Sequence, residues 1–60
     1  MREWWLSSNR MTFFVAVDDR QVIVEAAPIA RKFVGQPLEH LERWMARQGG
    51  FRKERIEHVR

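Results

Sequence analysis

The fold of this chain is decided by residues 11–27, which read MTFFVAVDDRQVIVEAA. Two runs of β-branched and aromatic residues flank a polar cluster, and such side chains are too stiff at χ1 to favour a short helix. The cluster DDRQ, residues 18–21, contains the aspartates that are common in tight reversals. The stretch therefore predicts a β-hairpin of two short strands.

The length of the loop sets the expected register of this hairpin. If Asp19 and Arg20 form a two-residue loop, one face of the hairpin is apolar and is expected to be the core. The cross-strand pairs on that face are Val17 with Val22, Val15 with Val24, and Phe13 with Ala26. The opposite face would carry Thr12, Phe14, Ala16, Ile23 and Glu25.

That second face is far more apolar than a solvated sheet face, and large exposed apolar patches generally mark interfaces. Either an N-terminal arm or another copy of the chain has to cover it, and we expect a homo-oligomer in which the arm contributes. Since Trp4 and Trp5 would point to opposite faces of a strand, at least one of them is expected to meet a neighbour or a ligand. The expected interface residues are Trp4, Phe14 and Ile23.

Helical signals follow the hairpin. Pro28 cannot donate to a strand ladder, so it ends the second strand and begins a short helical turn over residues 28–34. Residues 35–37, GQP, form a corner before the main helix, which starts at Leu38 and ends at the glycine pair 49–50. Its apolar stripe consists of Leu41, Trp44, Met45 and Ala46, and Glu39 is spaced to pair with Arg43.

The two ends of the chain leave alternatives open. Residues 3–8, EWWLSS, are typical of either a short strand or an arm packed on the sheet. Residues 51–60 match neither periodic template, so a last strand and a frayed helix both fit them. The predicted fold class is α+β, in one domain of residues 1–60. It is a small hairpin or meander sheet packed on one main α-helix, ββα in order, with room for a strand at each end.

Composition limits the chemistry that the chain can perform. A chain of 60 residues buries a small core, and small domains usually add disulfides, a metal or a partner subunit. There is no cysteine, and two histidines, His40 and His58, are too few for a zinc site, so no cofactor or metal is expected. No apolar stretch approaches the ~20 residues of a membrane span, and no signal-peptide core begins the chain. We expect a cytoplasmic protein without a membrane partner.

Catalytic patterns are missing from the sequence. Ser7, Ser8 and Thr12 have no nucleophile-elbow context, and serine serves turns far more often than catalysis. The pair Asp18 and Asp19 fits a solvated hairpin tip, and no glycine-rich phosphate loop opens a helix. The chain is therefore expected not to be an enzyme.

Basic residues supply the candidate binding sites. Residues 1–30 carry three basic and four acidic side chains, whereas residues 31–60 carry eight basic and four acidic. This basic half fits attraction to phosphate and a plainly solvated surface equally well. The corner after the first helical turn offers two cations and an amide, and tryptophans can stack on bases. The expected ligand-binding residues are Arg31, Lys32, Gln36, Trp5 and Trp44. In the simpler alternative, Ile29, Phe33 and Val34 pack inward while Arg31 and Lys32 are only solvated.

Three short motifs resemble those of a family of short, uncharacterised proteins of bacteria and their phages. They are FVAV at residues 14–17, AAPI at 26–29 and FVGQP at 33–37, and the resemblance covers residues 4–51. It implies a strand over residues 51–59. Members of that family often have Asp-Gly at the turn, where this chain has Asp19-Arg20. By analogy with small phage proteins that capture host molecules, the resemblance implies sequestration of a nucleotide signal.

Three functions are thus compatible with the residues. The first is a non-enzymatic, oligomeric binding module that takes a nucleotide or another phosphate-bearing ligand in a basic and aromatic pocket near a subunit interface. The second is nucleic-acid binding through the basic half, by Arg43, Arg47, Arg52, Lys53 and Arg55. The third is an adaptor or inhibitor of a host or viral protein that docks through an apolar patch of Phe14, Ile23 and Trp44.

Overall fold

The helical layer of this protein packs on one face of an antiparallel sheet whose strands are ordered β3-β2-β1-β4. The computed structural model describes residues 1–56. Its elements are β1 (Arg2–Ser7), β2 (Thr12–Val17), β3 (Ile23–Ala26), a 3₁₀ helix (Pro28–Phe33), α1 (Leu38–Ala46) and β4 (Arg52–Arg55). The predicted α+β class is confirmed, and both flanking segments form strands that pair with the sheet.

The first hairpin joins β1 to β2 and is closed by a serine turn. The two strands pair from Arg2↔Val17 to Ser7↔Thr12. The Ser8 backbone N–H donates to the Met11 carbonyl at 2.8 Å, and the Ser8 hydroxyl accepts from the Met11 N–H at 3.3 Å. Ser8 therefore has the turn function that its residue type favours, because its side chain replaces missing backbone partners.

The second hairpin, between β2 and β3, does not have the predicted register. The Asp18 N–H donates to the Val22 carbonyl at 3.0 Å, so the loop holds three residues, 19–21, and not two. Its last residue, Gln21, has a φ of 65°, which is typical of a three-residue hairpin loop. A two-residue loop needs residues that tolerate positive φ at both positions, and neither Asp19 nor Arg20 is glycine.

The longer loop and a bulge change which side chains of β3 face the core. The observed pairs are Val15↔Ala26 and Val17↔Ile23, with an irregularity between Ala16 and Val17. Ile23 is consequently 1% exposed, whereas Val24 is 42% exposed. The prediction that Ile23 lies on the open face, as an interface residue, is therefore wrong.

The core lies between the sheet and the helical layer. The Trp4 side chain packs on this core from the same face of β1 as Leu6, so it is not on the opposite face with Phe14. Trp5 points away from the core and is 44% exposed. The fully packed residues are Leu6, Phe13, Val15, Val17, Ile23, Ala30, Leu38, Leu41 and Met45.

Residues after β3 form the helical layer where the sequence predicted it. The 3₁₀ helix begins at Pro28, but its inward residue is Ala30, while Ile29 and Val34 are exposed. The expectation that Ile29 and Val34 pack inward is wrong, because a 3₁₀ helix turns every three residues and presents a different side chain to the sheet. Gly35 has a φ of 91° at the corner that precedes α1.

Backbone hydrogen bonds attach this corner to the start of β3. The Ile23 N–H donates to the Gln36 carbonyl at 2.9 Å, and the Gly35 N–H donates to the Ile23 carbonyl at 2.7 Å. The Leu38 N–H donates to the Gln21 carbonyl at 2.8 Å. The first turn of α1 is therefore positioned by the loop between β2 and β3.

The last strand, β4, pairs with β1 in antiparallel fashion, from Trp4↔Arg55 to Ser7↔Arg52. This confirms a C-terminal strand for residues 52–55, and the rest of the segment that was expected to be a strand lies partly outside the described residues. The expected ion pair of Arg43 with Glu39 forms at 3.7 Å. Within residues 1–56, no helix is both long and apolar enough to cross a membrane.

The connection from α1 to β4 passes close to the first turn of the sheet. The Asn9 N–H donates to the Gly49 carbonyl at 2.9 Å, and a Cβ atom at Gly50 would overlap the side-chain amide of Asn9. Gly50 also has a φ of 67°. The backbone conformation thus favours glycine here, and a Cβ atom would also displace the exposed side chain of Asn9.

We expect Gly50→Ala to destabilise the protein by at least about 1 kcal/mol more than Gly35→Ala. Both positions have positive φ, but a Cβ at Gly35 would meet nothing within 4 Å. A greater loss at Gly50 would report the contact with Asn9, since the φ of 67° at Gly50 is less strained for alanine than the 91° at Gly35. Urea unfolding measures it, and equal losses for the two variants would contradict the close approach.

Asp18 makes the stability of the second hairpin depend on pH. Its carboxylate accepts from the Val22 N–H at 3.0 Å and the Arg20 N–H at 2.9 Å. These bonds, that of Val22 foremost, hold the pKa of Asp18 below its ordinary value of 3.8. A lowered pKa gives stability that is fully present above the ordinary value and is lost as the pH falls through the folded value.

We therefore expect the free energy of unfolding of Asp18→Asn to fall less steeply at acid pH than that of the parent protein. The variant keeps an acceptor oxygen but removes the titration, so its stability relative to the parent protein should rise as the pH falls below about 4. Urea unfolding at a series of pH values measures this. Asp19→Asn is the matched control, since its side chain accepts neither loop hydrogen bond. Parallel curves for parent and Asp18→Asn would refute the assignment.

Candidate functional site

A groove lies between the 3₁₀ helix and one flank of α1. We call it the α1 groove, and its volume is about 310 Å³. It is lined by Phe33, His40, Arg43, Trp44 and Arg47. The groove is formed within a single chain, so a ligand could bind there without a second copy.

The helical period explains why these residues share one flank. Leu38, Leu41 and Met45 face the sheet and are buried, which turns the positions one turn apart at 40 and 44 toward the 3₁₀ helix. Phe33 ends that helix, and its ring centroid lies 5.5 Å from that of Trp44 at an interplanar angle of 46°. The two rings form a tilted aromatic wall.

Lys32 places a positive charge on this aromatic wall. Its Nζ atom lies 5.1 Å from the centre of the Trp44 ring and 5.4 Å from that of Phe33. Both distances are within the range of a cation–π contact. The exposed ammonium group therefore contacts both rings.

Gln36 and His40 connect the corner to the helix. The Gln36 amide donates to the Lys32 carbonyl at 3.2 Å, and its Oε1 lies 3.2 Å from Nδ1 of His40. His40 and Trp44 are four residues apart on α1 and share one flank, and Gln36 reaches His40 from the corner before the helix. The polar end of the groove is consequently ordered by side chains of the same chain.

Positive charge exceeds negative charge around the groove. Glu39 pairs with Arg43 at 3.7 Å, and both side chains are largely exposed, which makes this a weak, solvent-screened pair. Among the residues described, neither Lys32 nor Arg47 has a carboxylate partner within 4.0 Å. Cationic groups beside aromatic rings suit an anion that carries an apolar or aromatic part.

The structure brings together only some of the predicted ligand-binding residues. Trp44 lines the α1 groove, and Lys32 and Gln36 lie beside it through their contacts with Trp44 and His40. Arg31 is exposed on the 3₁₀ helix, and Trp5 lies on the opposite face of the sheet, so Trp5 does not belong to this site. Sequence reasoning missed Phe33 and His40 as lining residues, although the four-residue spacing of His40 and Trp44 on the predicted helix was a usable signal for His40.

The residues predicted for nucleic-acid binding are divided among three surfaces. Arg43 and Arg47 line the α1 groove, whereas Arg52 pairs with Ser7 on the sheet face away from α1. Arg55 lies at the far end of β4. Lys53 faces the other flank of α1 and forms an ion pair with Glu42 at 2.7 Å. The five cations therefore do not form one continuous basic surface.

A second hollow, of about 320 Å³, lies near the start of α1. Arg20 and Lys53 line it together with Glu39 and Glu42, and Lys53 is already paired with Glu42. Its mixed charges favour no particular ligand. The residues described contain no group of three or more His, Cys, Asp or Glu side chains that could hold a metal ion.

In comparisons with known proteins, no protein family, curated protein or solved structure matches the chain significantly.

The contact of Lys32 with the aromatic wall can be measured through stability. We expect Lys32→Met to lower the free energy of unfolding by about 0.5–1 kcal/mol, because methionine keeps an apolar stem but loses the charge over the rings. Arg31→Met is the matched control on the same exposed helix and should change stability by less than about 0.5 kcal/mol. Equal effects of the two substitutions in thermal or urea unfolding would show that the ammonium group adds nothing.

Proposed function

We propose that the chain is a non-enzymatic binding module, acting in the cytoplasm, that holds a nucleotide or similar phosphate-bearing aromatic ligand in the α1 groove. The observation that carries this proposal is the aromatic wall of Phe33 and Trp44 with cations beside it. Lys32 lies over the rings, and Arg43 and Arg47 line the same groove.

Each half of such a ligand has a matching group in the groove. A base that displaces the Lys32 ammonium from the Trp44 ring can stack there, and base stacking on an aromatic side chain contributes about 1–3 kcal/mol. Phosphate oxygens can accept from Arg43 and Arg47, which are one helical turn apart and therefore separated along the axis by about 6 Å. Charge-assisted hydrogen bonds of this kind are roughly twice as strong as neutral ones.

The size of the groove favours a small ligand. Ligand pockets commonly have volumes of about 300–1,000 Å³, so the value of about 310 Å³ is at the lower limit. One base and its phosphates fit this range better than an extended polymer does. Among the residues described, the groove pairs no hydroxyl or thiol nucleophile with a base, which supports binding without chemistry.

Single-stranded nucleic acid is the second candidate ligand. Stacking rings beside arginines also serve single-strand binding, and both Arg43 and Arg47 belong to the set predicted for nucleic acid. Because Arg52 and Lys53 lie away from the groove, the cations that a nucleic-acid strand could follow extend over little more than one nucleotide. This arrangement supports the free nucleotide over the polymer.

Calorimetric titration of the full chain with ATP, GTP and an eight-nucleotide oligothymidylate tests the proposal. We expect a nucleoside triphosphate to bind, and Arg47→Gln and Trp44→Leu each to weaken binding by about tenfold or more, since each removes roughly 1.5 kcal/mol or more of contact energy. Arg10→Gln, the same charge change in the first turn of the sheet, should leave binding unchanged.

The same titrations distinguish the two ligand classes. Binding of the oligonucleotide alone, with an affinity that falls steeply with salt, would replace the nucleotide proposal by the nucleic-acid one. If no ligand binds at a concentration of about 1 mM, the groove is not the proposed binding site. That concentration corresponds to a binding free energy of roughly 4 kcal/mol. The groove is also not the binding site if Arg47→Gln and Arg10→Gln behave alike.

A further inference from the structure

The sheet face away from α1, which we call the open face, has an aromatic centre. Trp5 on β1 pairs with Phe14 on β2, and both point away from the core. Trp5 is 44% exposed, and Ala16 beside them is fully buried at the base of the patch. In the part of the chain that the structure describes, both the 3₁₀ helix and α1 pack on the other face.

Charges of opposite sign lie at two corners of the open face. Glu25 on the outer strand β3 pairs with Ala16, at one end of the face. Arg52 on the other outer strand, β4, pairs with Ser7, at the opposite end. Across the sheet, Glu25 and Arg52 are three strand spacings apart, which is about 14 Å. Along the strands, they are four residues apart, which is about 13 Å. The open face is thus nearly square, with Glu25 and Arg52 diagonally opposite.

We propose that a second copy of the chain docks on this face to form a two-fold symmetric dimer, in which Glu25 of each copy pairs with Arg52 of the other. The two-fold axis lies between the two packed faces and runs along the diagonal that joins the other two corners. Rotation about this axis places the Glu25 corner of one copy opposite the Arg52 corner of the other. Strands of the two sheets then cross at close to a right angle, which is one of the two preferred arrangements for packed sheets. The same operation brings Trp5 and Phe14 of both copies together at the centre.

The composition of the face fits such an isologous contact. A symmetric dimer uses the same patch on both subunits, so that patch has to complement itself in shape and charge. An aromatic centre with a charged rim is the common layout of interfaces, and tryptophan is enriched among the residues that contribute most to binding. Two further carboxylates, Glu3 and Glu54, lie on this face beside Trp5, and the two-fold operation brings Glu3 of one copy near Glu54 of the other, a like-charge contact that weakens the dimer.

The size of the face makes this dimer a weak one. Two strands of six residues and two of four cover on the order of 300 Å² per copy, less than half of the ~800 Å² per partner of a standard interface. The dimer should therefore form with rising protein concentration and dissociate on dilution. The α1 groove lies on the other side of the sheet and remains open in both copies.

Sedimentation equilibrium of the full chain from about 1 µM to 1 mM tests the dimer. We expect Glu25→Arg and Arg52→Glu each to weaken association at least tenfold, because each replaces two attractive pairs by two like-charge contacts. The double swap, Glu25→Arg with Arg52→Glu, should restore association to within about threefold of the parent protein. Trp5→Thr should leave a monomer.

Control variants and folding measurements show whether a change in association comes from the open face or from loss of the fold. Arg31→Glu makes the same charge change on the helical layer and should not affect association. Circular dichroism and thermal unfolding confirm that each variant is folded, and the charge variants alter only exposed side chains. A parent protein that is monomeric at 1 mM, or a double swap that fails to restore association, would overturn the proposal.

Discussion

The loop between β2 and β3 is the constraint on which the rest of the structure depends. Two backbone N–H groups donate to the Asp18 carboxylate and close this loop at three residues. The resulting register turns Ile23 into the core, and the backbone of Ile23 then hydrogen-bonds the corner that begins α1. A local polar interaction at the surface thereby determines where the main helix and its groove lie.

Both flanks of α1 carry a lysine over a tryptophan ring, yet the two flanks differ in charge. On the β4 side, Lys53 lies 4.7 Å from the Trp4 ring and is neutralised by Glu42. On the other side, Lys32 lies over Trp44 without a carboxylate partner among the residues described. The first contact fixes β4 to the helix, whereas the second leaves positive charge available to a ligand.

The two aromatic surfaces of the molecule are separated by the sheet itself. The α1 groove is basic and concave, which suits a small anion with a ring. The open face has two aromatic side chains between charges of both signs, which suits a copy of itself. Because strand residues alternate between faces, the neighbours Trp4 and Trp5 end in different environments, one on the core and one in the solvent.

Local patterns in the sequence determined the strand type of β2, the start of α1 and the pairing of Glu39 with Arg43, because each depends on residues a few positions apart. The helix itself ends at Ala46, before the glycine pair that was expected to end it. The last strand, β4, also followed the expected segment. Tertiary structure alone decided that Ile23 and not Val24 is buried, and which cations of the basic half converge. The additional loop residue and the bulge exchange the positions of Ile23 and Val24, and backbone hydrogen bonds with the distant residues Gly35 and Gln36 hold Ile23 there, so neither outcome is encoded in local spacing.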